Sequence, residues 1–427
     1  MEDFCRHLYD ETTDGYIHIA KIDNREIKIY NTNREGIKKV VEEFDTNKDI
    51  YITPNTTFIP VRKSKNIRQF RALFIDLDTH KLGFHKSETV YMVWEKYYEG
   101  KIPKPTMVID SGRGVHLYWR IHNAPSQAIC TWQELEDYLY YQLKGLGADK
   151  QATDCVRILR LPTTINSRSN TECKVEYIDN ETEYSMYDLR VQYLNYKPKE
   201  TQIEFHETKK KPSGKLISNK FFSSYSLHVA RAEDIETLCR LRGYKMDGYR
   251  NMVLHCFAYW KGLVIRNDEY LREEVYSLNN AFTNPLIATE VDAILRCVPK
   301  AIDKFIEYEQ GIISGEVKRV SKGMRDKGGY WYKNETLIER LDITRKEQID
   351  MKTIISKEEK YDRNNKNRRD KRRDENGLTK SQQELKKLKY KVLEIQANSD
   401  KKLSLRALEE LTGFKKDKIS RAIKSPY

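Results

Sequence analysis

The stretch Ala72-Leu73-Phe74-Ile75-Asp76-Leu77-Asp78 decides how the first part of this chain is read. An apolar, partly β-branched run bounded by polar residues has the pattern of a strand, and strand side chains alternate with period two. Asp76 and Asp78 therefore project from one face, while Ile75 and Leu77 pack on the other. Two carboxylates held that close repel when ionised. A divalent cation relieves the repulsion, and hard oxygen ligands suit Mg²⁺ or Mn²⁺. The competing explanation is a solvated strand end, because Asp-x-Asp is frequent by chance. Two further segments downstream weigh against it.

The second is Asp110-Ser111-Gly112-Arg113-Gly114-Val115-His116-Leu117-Tyr118-Trp119-Arg120. Val115, Leu117, Trp119 and Ile121 alternate with His116, Tyr118, Arg120 and His122, so one face is core and the other is aimed at a cleft. The turn Ser111-Gly112-Arg113-Gly114 brings backbone N–H groups close to a ligand, and such concavities bind phosphate oxygens. Arg113 adds a fork-shaped cation. The bland alternative is a glycine-rich hairpin before an amphipathic strand.

The third is Asp154-Cys155-Val156-Arg157-Ile158-Leu159-Arg160-Leu161-Pro162-Thr163-Thr164-Ile165-Asn166-Ser167-Arg168, three arginines and an acid interleaved with a strand-like apolar series. Asp154 either ligates a cation or pairs with Arg157, and Asp149 is a rival carboxylate five residues earlier.

Around these motifs the pattern is α+β, with a largely antiparallel sheet. Strands are expected at 16–22 and 26–30, joined through Asp23-Asn24, and at 49–53, 71–78, 106–110, 115–121 and 173–178. Helices are expected at 33–44 and 128–144. A Lys-rich stretch with Pro198, Pro212 and Gly214 reads as a linker. Beyond it, 247–265, 268–282 and 288–306 carry helical apolar spacing. Residues 357–373 are a charge run that is a solvated helix face, a flexible tether or a nucleic-acid contact.

Composition narrows the partners. The 427 residues hold 77 Lys+Arg against 64 Asp+Glu, a net charge of +13, which suggests an anionic partner, nucleic acid before membrane. Seven scattered cysteines without Cys-x-x-Cys argue for reduced cytosolic thiols and against a zinc ribbon. Met1-Glu2-Asp3 does not begin a signal peptide, and no apolar run is long enough to span a bilayer, so a cytoplasmic protein is expected. Ser213-Gly214-Lys215-Leu216 does not complete a phosphate-binding loop of the Gly-x4-Gly-Lys-Ser/Thr type, so any helicase must be a separate partner. His116 and His122 are too far apart for a relaxase histidine pair.

Taken together, the three motifs supply metal carboxylates and a triphosphate cradle, as two-metal nucleotidyl transfer requires. The chain here resembles the archaeo-eukaryotic primase superfamily, closest to the primase-polymerases of bacterial plasmids and phages. The resemblance implies an RRM-like catalytic core. It implies Asp76, Asp78 and Asp154 as metal ligands, and His116 beside them in catalysis. It gives the incoming nucleotide Ser111, Gly112, Arg113, Gly114 and His116, with Arg157, Arg160, Asn166 and Arg168 toward its phosphates. Thr163 stands where the family commonly has glycine. Gly248-Tyr249-Arg250-Asn251 and the segment from Asn279 to Leu286 look like the helical domain often attached to such primases.

The tail is similar to a helix-turn-helix: Ser404 caps one helix, Gly413 turns, and a second helix carries Lys415, Lys416, Lys418, Ser420 and Arg421 toward DNA. Leu405, Leu408, Leu411, Phe414, Ile419 and Ile423 are its expected core, and Glu409 stands where the motif prefers a small residue. The expected organisation is a catalytic domain at 1–196, a linker at 197–223, a helical domain at 224–310, a basic region at 311–378 and the DNA-binding tail at 379–427. The function expected is a primase acting on single-stranded DNA template with NTP or dNTP and binding origin duplex. The alternative is a non-catalytic initiator that binds an origin and recruits a helicase.

Overall fold

The computed structural model describes residues 1–23, 26–44, 46–194, 224–317, 328–399 and 401–426. The expected linker, 197–223, lies outside the described residues, as does Asn24 of the first turn. The chain divides into two compact units, one of residues 1–343 with 350–354 and one of residues 344–349 with 355–427.

The first unit opens with α1 (Glu2–Leu8), then β1 (Ile17–Asp23), β2 (Glu26–Thr32), α2 (Ile37–Glu42), β3 (Ile50–Ile52) and β4 (Thr56–Thr57). β5 (Ile67–Leu77), α3 (Thr79–Leu82), α4 (Lys86–Tyr98), β6 (Met107–Asp110), β7 (Val115–Pro125) and α5 (Ile129–Leu143) follow. β8 (Leu159–Arg160), β9 (Ile165–Asn166), β10 (Thr171–Glu172), β11 (Lys174–Ile178) and α6 (Met186–Tyr193) complete the α/β part. The larger sheet has the order β11-β6-β7-β5-β4 and a second has β2-β1-β3-β8, all antiparallel, with β9 and β10 forming a separate pair. This is the α+β architecture expected from the sequence.

β5 is buried on both faces, which is why it reads as a nearly continuous apolar run. Phe70 stacks on Trp132 of α5 at 5.4 Å, and Phe74 packs on Trp132 and Tyr118. Its free edge is covered by side-chain and backbone bonds: Trp132 Nε1 donates to Ala72 C=O, Phe74 N–H donates to the Glu136 carboxylate, and Asp149 N–H donates to Asp76 C=O. The polar face begins only at Asp76, where the apolar packing ends.

Two expected elements differ. The helix expected from residue 33 starts at Ile37, because the Asn33 side chain accepts from Gly36 N–H and holds a turn there. The third motif is not a continuous strand: residues 154–156 form a turn and only Leu159–Arg160 pair with β3. Thr163 has φ 69°, the left-handed conformation that glycine takes without cost. It is held there by N–H donation to Cys173 C=O and by Asn47 Nδ2 bonding its carbonyl. A β-branched residue in this region carries ~1–2 kcal/mol of strain, and glycine's unfolded-state entropy takes back ~0.5–1 kcal/mol. Thr163→Gly is therefore expected to raise stability by about 0.5–1 kcal/mol in urea denaturation. A less stable variant would mean that the threonine side chain offsets its own strain.

Four helices follow: α7 (Ser224–Leu241), α8 (Arg250–Ile265), α9 (Asp268–Ala281) and α10 (Ala288–Ser314). α10 runs through Pro299 and ends at Gly315, φ 80°. α7, α8 and α10 pack on α5, and α11 (Asn334–Arg340) completes this unit. The helical block thus shares one compact unit with the α/β part.

The second unit contains α12 (Arg345–Gln348), α13 (Lys357–Asp370), α14 (Lys380–Ala397), α15 (Leu405–Thr412) and α16 (Lys416–Lys424). Ser404 caps α15 by accepting from Ala407 N–H, and Gly413 makes the turn at φ 74°. The core here corrects the expected one. Leu408 and Ile419 are buried as expected, but they pack with Leu388 and Val392 of α14 and with Ala422. Leu405, Leu411, Phe414 and Ile423 are exposed. With α14 as a third wall, one narrow apolar stripe on each short helix suffices.

Candidate active site

The register of the larger sheet brings the first two motifs together. Asp76 on β5 is paired directly with His116 on β7, and Ile109 of β6 flanks His116 on its other side. His116 Nε2 lies 3.7 Å from Asp76 Oδ1. The turn between β6 and β7 closes over the end of β5: a Cβ on Gly114 would stand 2.2 Å from Leu77 C=O, so only glycine permits the approach. Gly112, at φ 94°, is needed for conformation and for space, since a Cβ there would meet Thr171 Oγ1 at 2.7 Å.

The resulting cleft, about 380 Å³, is lined by Asp76, Asp78, Ser111, Arg113, Gly114, His116, Arg157, Arg160, Asn166 and Arg168, together with Tyr51, His80 and Lys81. Most of the residues expected at the site are thus gathered in one place. The details differ from a simple phosphate cradle. Ser111 N–H already donates to Gly114 C=O, and Gly112 N–H donates to the Asp110 side chain. Asn166 donates through Nδ2 to Ser111 C=O, tying the second motif to the third. Arg160 is held rigidly by Asp49 at 2.7 Å and Tyr51 Oη at 2.6 Å. Among the described residues, Arg113 and Arg168 have no ion pair, so they are the available cations.

The two acids of the cleft repel each other. Burial, with the Asp78 charge adding to it, pushes the Asp76 carboxyl up to about 7. Asp78 meets Lys81 and, at 3.9 Å, His80. Burial and the nearby Arg160 and Arg157 hold the His116 imidazole down at about 3, so it is neutral at pH 7. Two carboxylates in mutual repulsion, one without a protein donor among the described hydrogen bonds, fit a hard divalent cation.

Asp154 is not part of this lining. It is 1% exposed, accepts from Val156 N–H, and its Oδ2 has no hydrogen-bond partner. Its carboxyl is pushed up to about 6 by burial, against the pull of Arg157 and Arg62. Asp149 stands differently. Leu77 and Ala148 form an antiparallel bridge, which sets Asp149 opposite Asp76, and its charge is felt there. Arg157 lies between the two candidates, 3.8 Å from each carboxylate. Asp149, Lys81 and Arg157 line an adjoining cavity of about 660 Å³ that reaches Arg266, Asp268 and Glu269 of the helical block.

Tyr51, Asp49 and Lys81 were not foreseen from the sequence. No local pattern marks Tyr51 and Asp49; they reach Arg160 only because β3 pairs with β8, Tyr51 opposite Arg160. No helix among the described residues is long and apolar enough to cross a membrane.

No family model matches the chain. Among solved structures it is similar to the AEP domain of the cyanophage S-2L primase-polymerase, with 18% identity over 42% of this chain and 89% of that one at TM-score 0.33. It is also similar to the primase RepB′, with 11% identity over 73% of this chain and 97% of that one at TM-score 0.30. Likenesses of this degree settle neither fold nor chemistry. A sequence relative is far closer: the replication protein of Clostridium perfringens is 38% identical over 313 residues, 73% of this chain and 70% of that protein. At that identity and coverage, the chain belongs to the family of this replication protein.

Proposed function

We propose that this protein is a metal-dependent DNA primase, or primase-polymerase, of the archaeo-eukaryotic superfamily, serving a plasmid, phage or integrated element. The observation that carries the reading is the Asp76–Asp78 pair beside His116 in a cleft rimmed by arginines. Mg²⁺ or Mn²⁺ would be held by Asp76 and Asp78 with a third acid. When bound, the ions activate the primer 3′-hydroxyl and stabilise the leaving pyrophosphate. Arg113 and Arg168 are the cations free to meet the triphosphate of an incoming NTP or dNTP, while Arg160, fixed by Asp49 and Tyr51, gives the cleft a rigid positive wall. Neutral His116 can hold a hydrogen bond to the nucleotide without adding charge.

For the third ligand, position favours Asp149 over Asp154, since Asp149 stands opposite Asp76 at a partly open site and Asp154 is sealed beneath Arg157. The test is primer synthesis on single-stranded DNA with labelled nucleotides. Asp149→Asn is expected to lose synthesis by more than ~100-fold, whereas Asp154→Asn stays within about tenfold. The reverse pattern would return the role to Asp154. No synthesis by the wild-type chain with either cation would favour the non-catalytic initiator.

The helical block, 224–310, borders the cavity next to the cleft and is assigned to gripping template or primer. α15 and α16 are read as a helix-turn-helix carrying Lys415, Lys416, Lys418, Ser420 and Arg421 to origin duplex. Glu409 is accommodated there at a partly open position, 3.9 Å from Lys416. A separate helicase and a cytoplasmic site of action complete the reading.

A further inference from the structure

The second unit carries a feature that neither catalysis nor the α15–α16 reading uses. Between residues 366 and 373 stand Lys366, Arg368, Arg369, Lys371, Arg372 and Arg373, with Asp370 as the lone acid. All six cations are exposed, and none has an ion pair among the described residues. Folding does not account for them. α13 buries only Glu359, so the helix contributes almost nothing to a core. Arg368 and Arg369 in the last turn of α13 and Lys371, Arg372 and Arg373 just beyond it form a block of like charges that repel. The helix dipole favours Arg368 and Arg369 in the last turn of α13 but not the three cations beyond it.

Their placement is fixed, not loose. Asp374 accepts from Asn376 N–H and Leu378 N–H through its side chain and from Gln383 Nε2. Arg373 bridges Thr379, and Thr379 caps α14. The cationic strip is thereby pinned to the start of α14. Five residues further, about 7–8 Å along the helix axis, Glu384 holds Lys418 of α16 at 3.1 Å. The strip and α16 therefore gather at the same end of α14. Residues 366–373 include no aromatic side chain to stack on bases and no apolar side chain to enter a bilayer. What remains is a row of guanidinium and ammonium groups suited to the phosphates of a duplex, which present one charge per ~1.7 Å of axis.

We propose that the strip from Lys366 to Arg373 is a sequence-independent clamp on the phosphate backbone of duplex DNA. Its charge stands by itself, but its role as a flank to sequence reading rests on the α15–α16 assignment. The test uses the full chain with Arg368, Arg369, Lys371, Arg372 and Arg373 each changed to Gln, a good helix former. Binding to a random duplex of about 40 base pairs is measured across a salt series, since phosphate contacts are read from the salt slope. The slope of log K against log salt is expected to flatten by about 4, and affinity near 0.15 M salt to fall at least tenfold. An unchanged slope overturns the proposal. A parallel variant with Lys415, Lys416, Lys418 and Arg421 changed to Gln keeps the two readings apart. If only this variant loses affinity, the clamp is wrong and the α15–α16 reading stands; if only the strip variant does, the clamp stands and that reading falls. Loss of binding to anionic vesicles by the strip variant, with duplex binding intact, would also overturn the clamp and point to a membrane surface.

Discussion

Asp76→Asn is expected to abolish nucleotide addition, by more than the ~100-fold typical of residues that merely support metal ligands, while making the cation-free protein more stable. Both effects have one cause. Asp76 is held beside Asp78 with its carboxyl pushed up to about 7, so the ionised pair costs the fold energy that a cation would return. Asparagine keeps the shape and removes the repulsion. Mg²⁺ or Mn²⁺ should then raise the melting temperature of the wild-type protein and leave that of Asp76→Asn unchanged. Asp78→Asn should behave alike in activity, with a smaller gain in stability, because Asp78 also meets Lys81 and His80. A variant that still extends primers, or whose melting temperature follows the cation as the wild type does, would remove Asp76 from the metal site. On the proposed reading DNA affinity should hardly change, since its phosphate contacts are assigned to basic surfaces outside the cleft.

The parts of this arrangement that were legible in the sequence are those set by local periodicity. The alternation in 72–78 placed Asp76 on a polar face, and the antiparallel register set Asp76 and His116 side by side. The alternation in 115–121 did not give the expected cleft-facing side, because Tyr118 is fully buried against Phe4 and Phe74 and the strand is covered on both faces there. Gly112 and Gly114 marked a tight loop, but the structure needs them for a positive φ and for the close approach to Leu77 C=O, while the Ser111 and Gly112 N–H groups expected to face a ligand donate within the loop. What the sequence concealed depends on contacts between distant segments. Whether Asp149 or Asp154 stands by Asp76 is decided by the bridge from Leu77 to Ala148, which no spacing rule predicts. Arg160 looked free because its partners, Asp49 and Tyr51, lie more than a hundred residues earlier. In the tail, helical spacing flagged Leu405, Leu408, Leu411, Phe414, Ile419 and Ile423 as core, yet α14 takes up much of that role, Ala422 joins the core unflagged, and Leu405, Leu411, Phe414 and Ile423 lie outside. Periodicity identifies apolar faces, but not how many neighbours compete to cover them.

The same limit hides a buried ion pair that joins α5 to the end of α8. Asp137, on α5, accepts from Tyr225 Oη of α7 at 2.5 Å, from Gln133 Nε2 at 3.1 Å, and from Arg266 at the end of α8. Its side chain and that of Arg266 are 1% and 5% exposed. Arg266 Nε and Nη1 have no hydrogen-bond partner, so Asp137 is the carboxylate that compensates this guanidinium. Removing one member of such a pair leaves a buried charge unmatched, which costs about 3–5 kcal/mol. Asp137→Ala is therefore expected to destabilise the protein by that amount, one of the largest single effects available here. Asp137→Asn keeps an acceptor for Tyr225 and should cost less. The decisive comparison is the double variant Asp137→Leu with Arg266→Met, which removes both charges and keeps most of the volume. It should recover a large part of the loss, because well-packed apolar replacements of buried ion pairs are often neutral. Urea denaturation followed by tryptophan fluorescence reads both sides of the contact, with Trp132 on α5 and Trp260 on α8. If the double variant is as unstable as Asp137→Ala, the cost lies in lost packing and not in the stranded charge. If Asp137→Ala unfolds like the wild type, α5 and the helical block are joined by their apolar contacts alone.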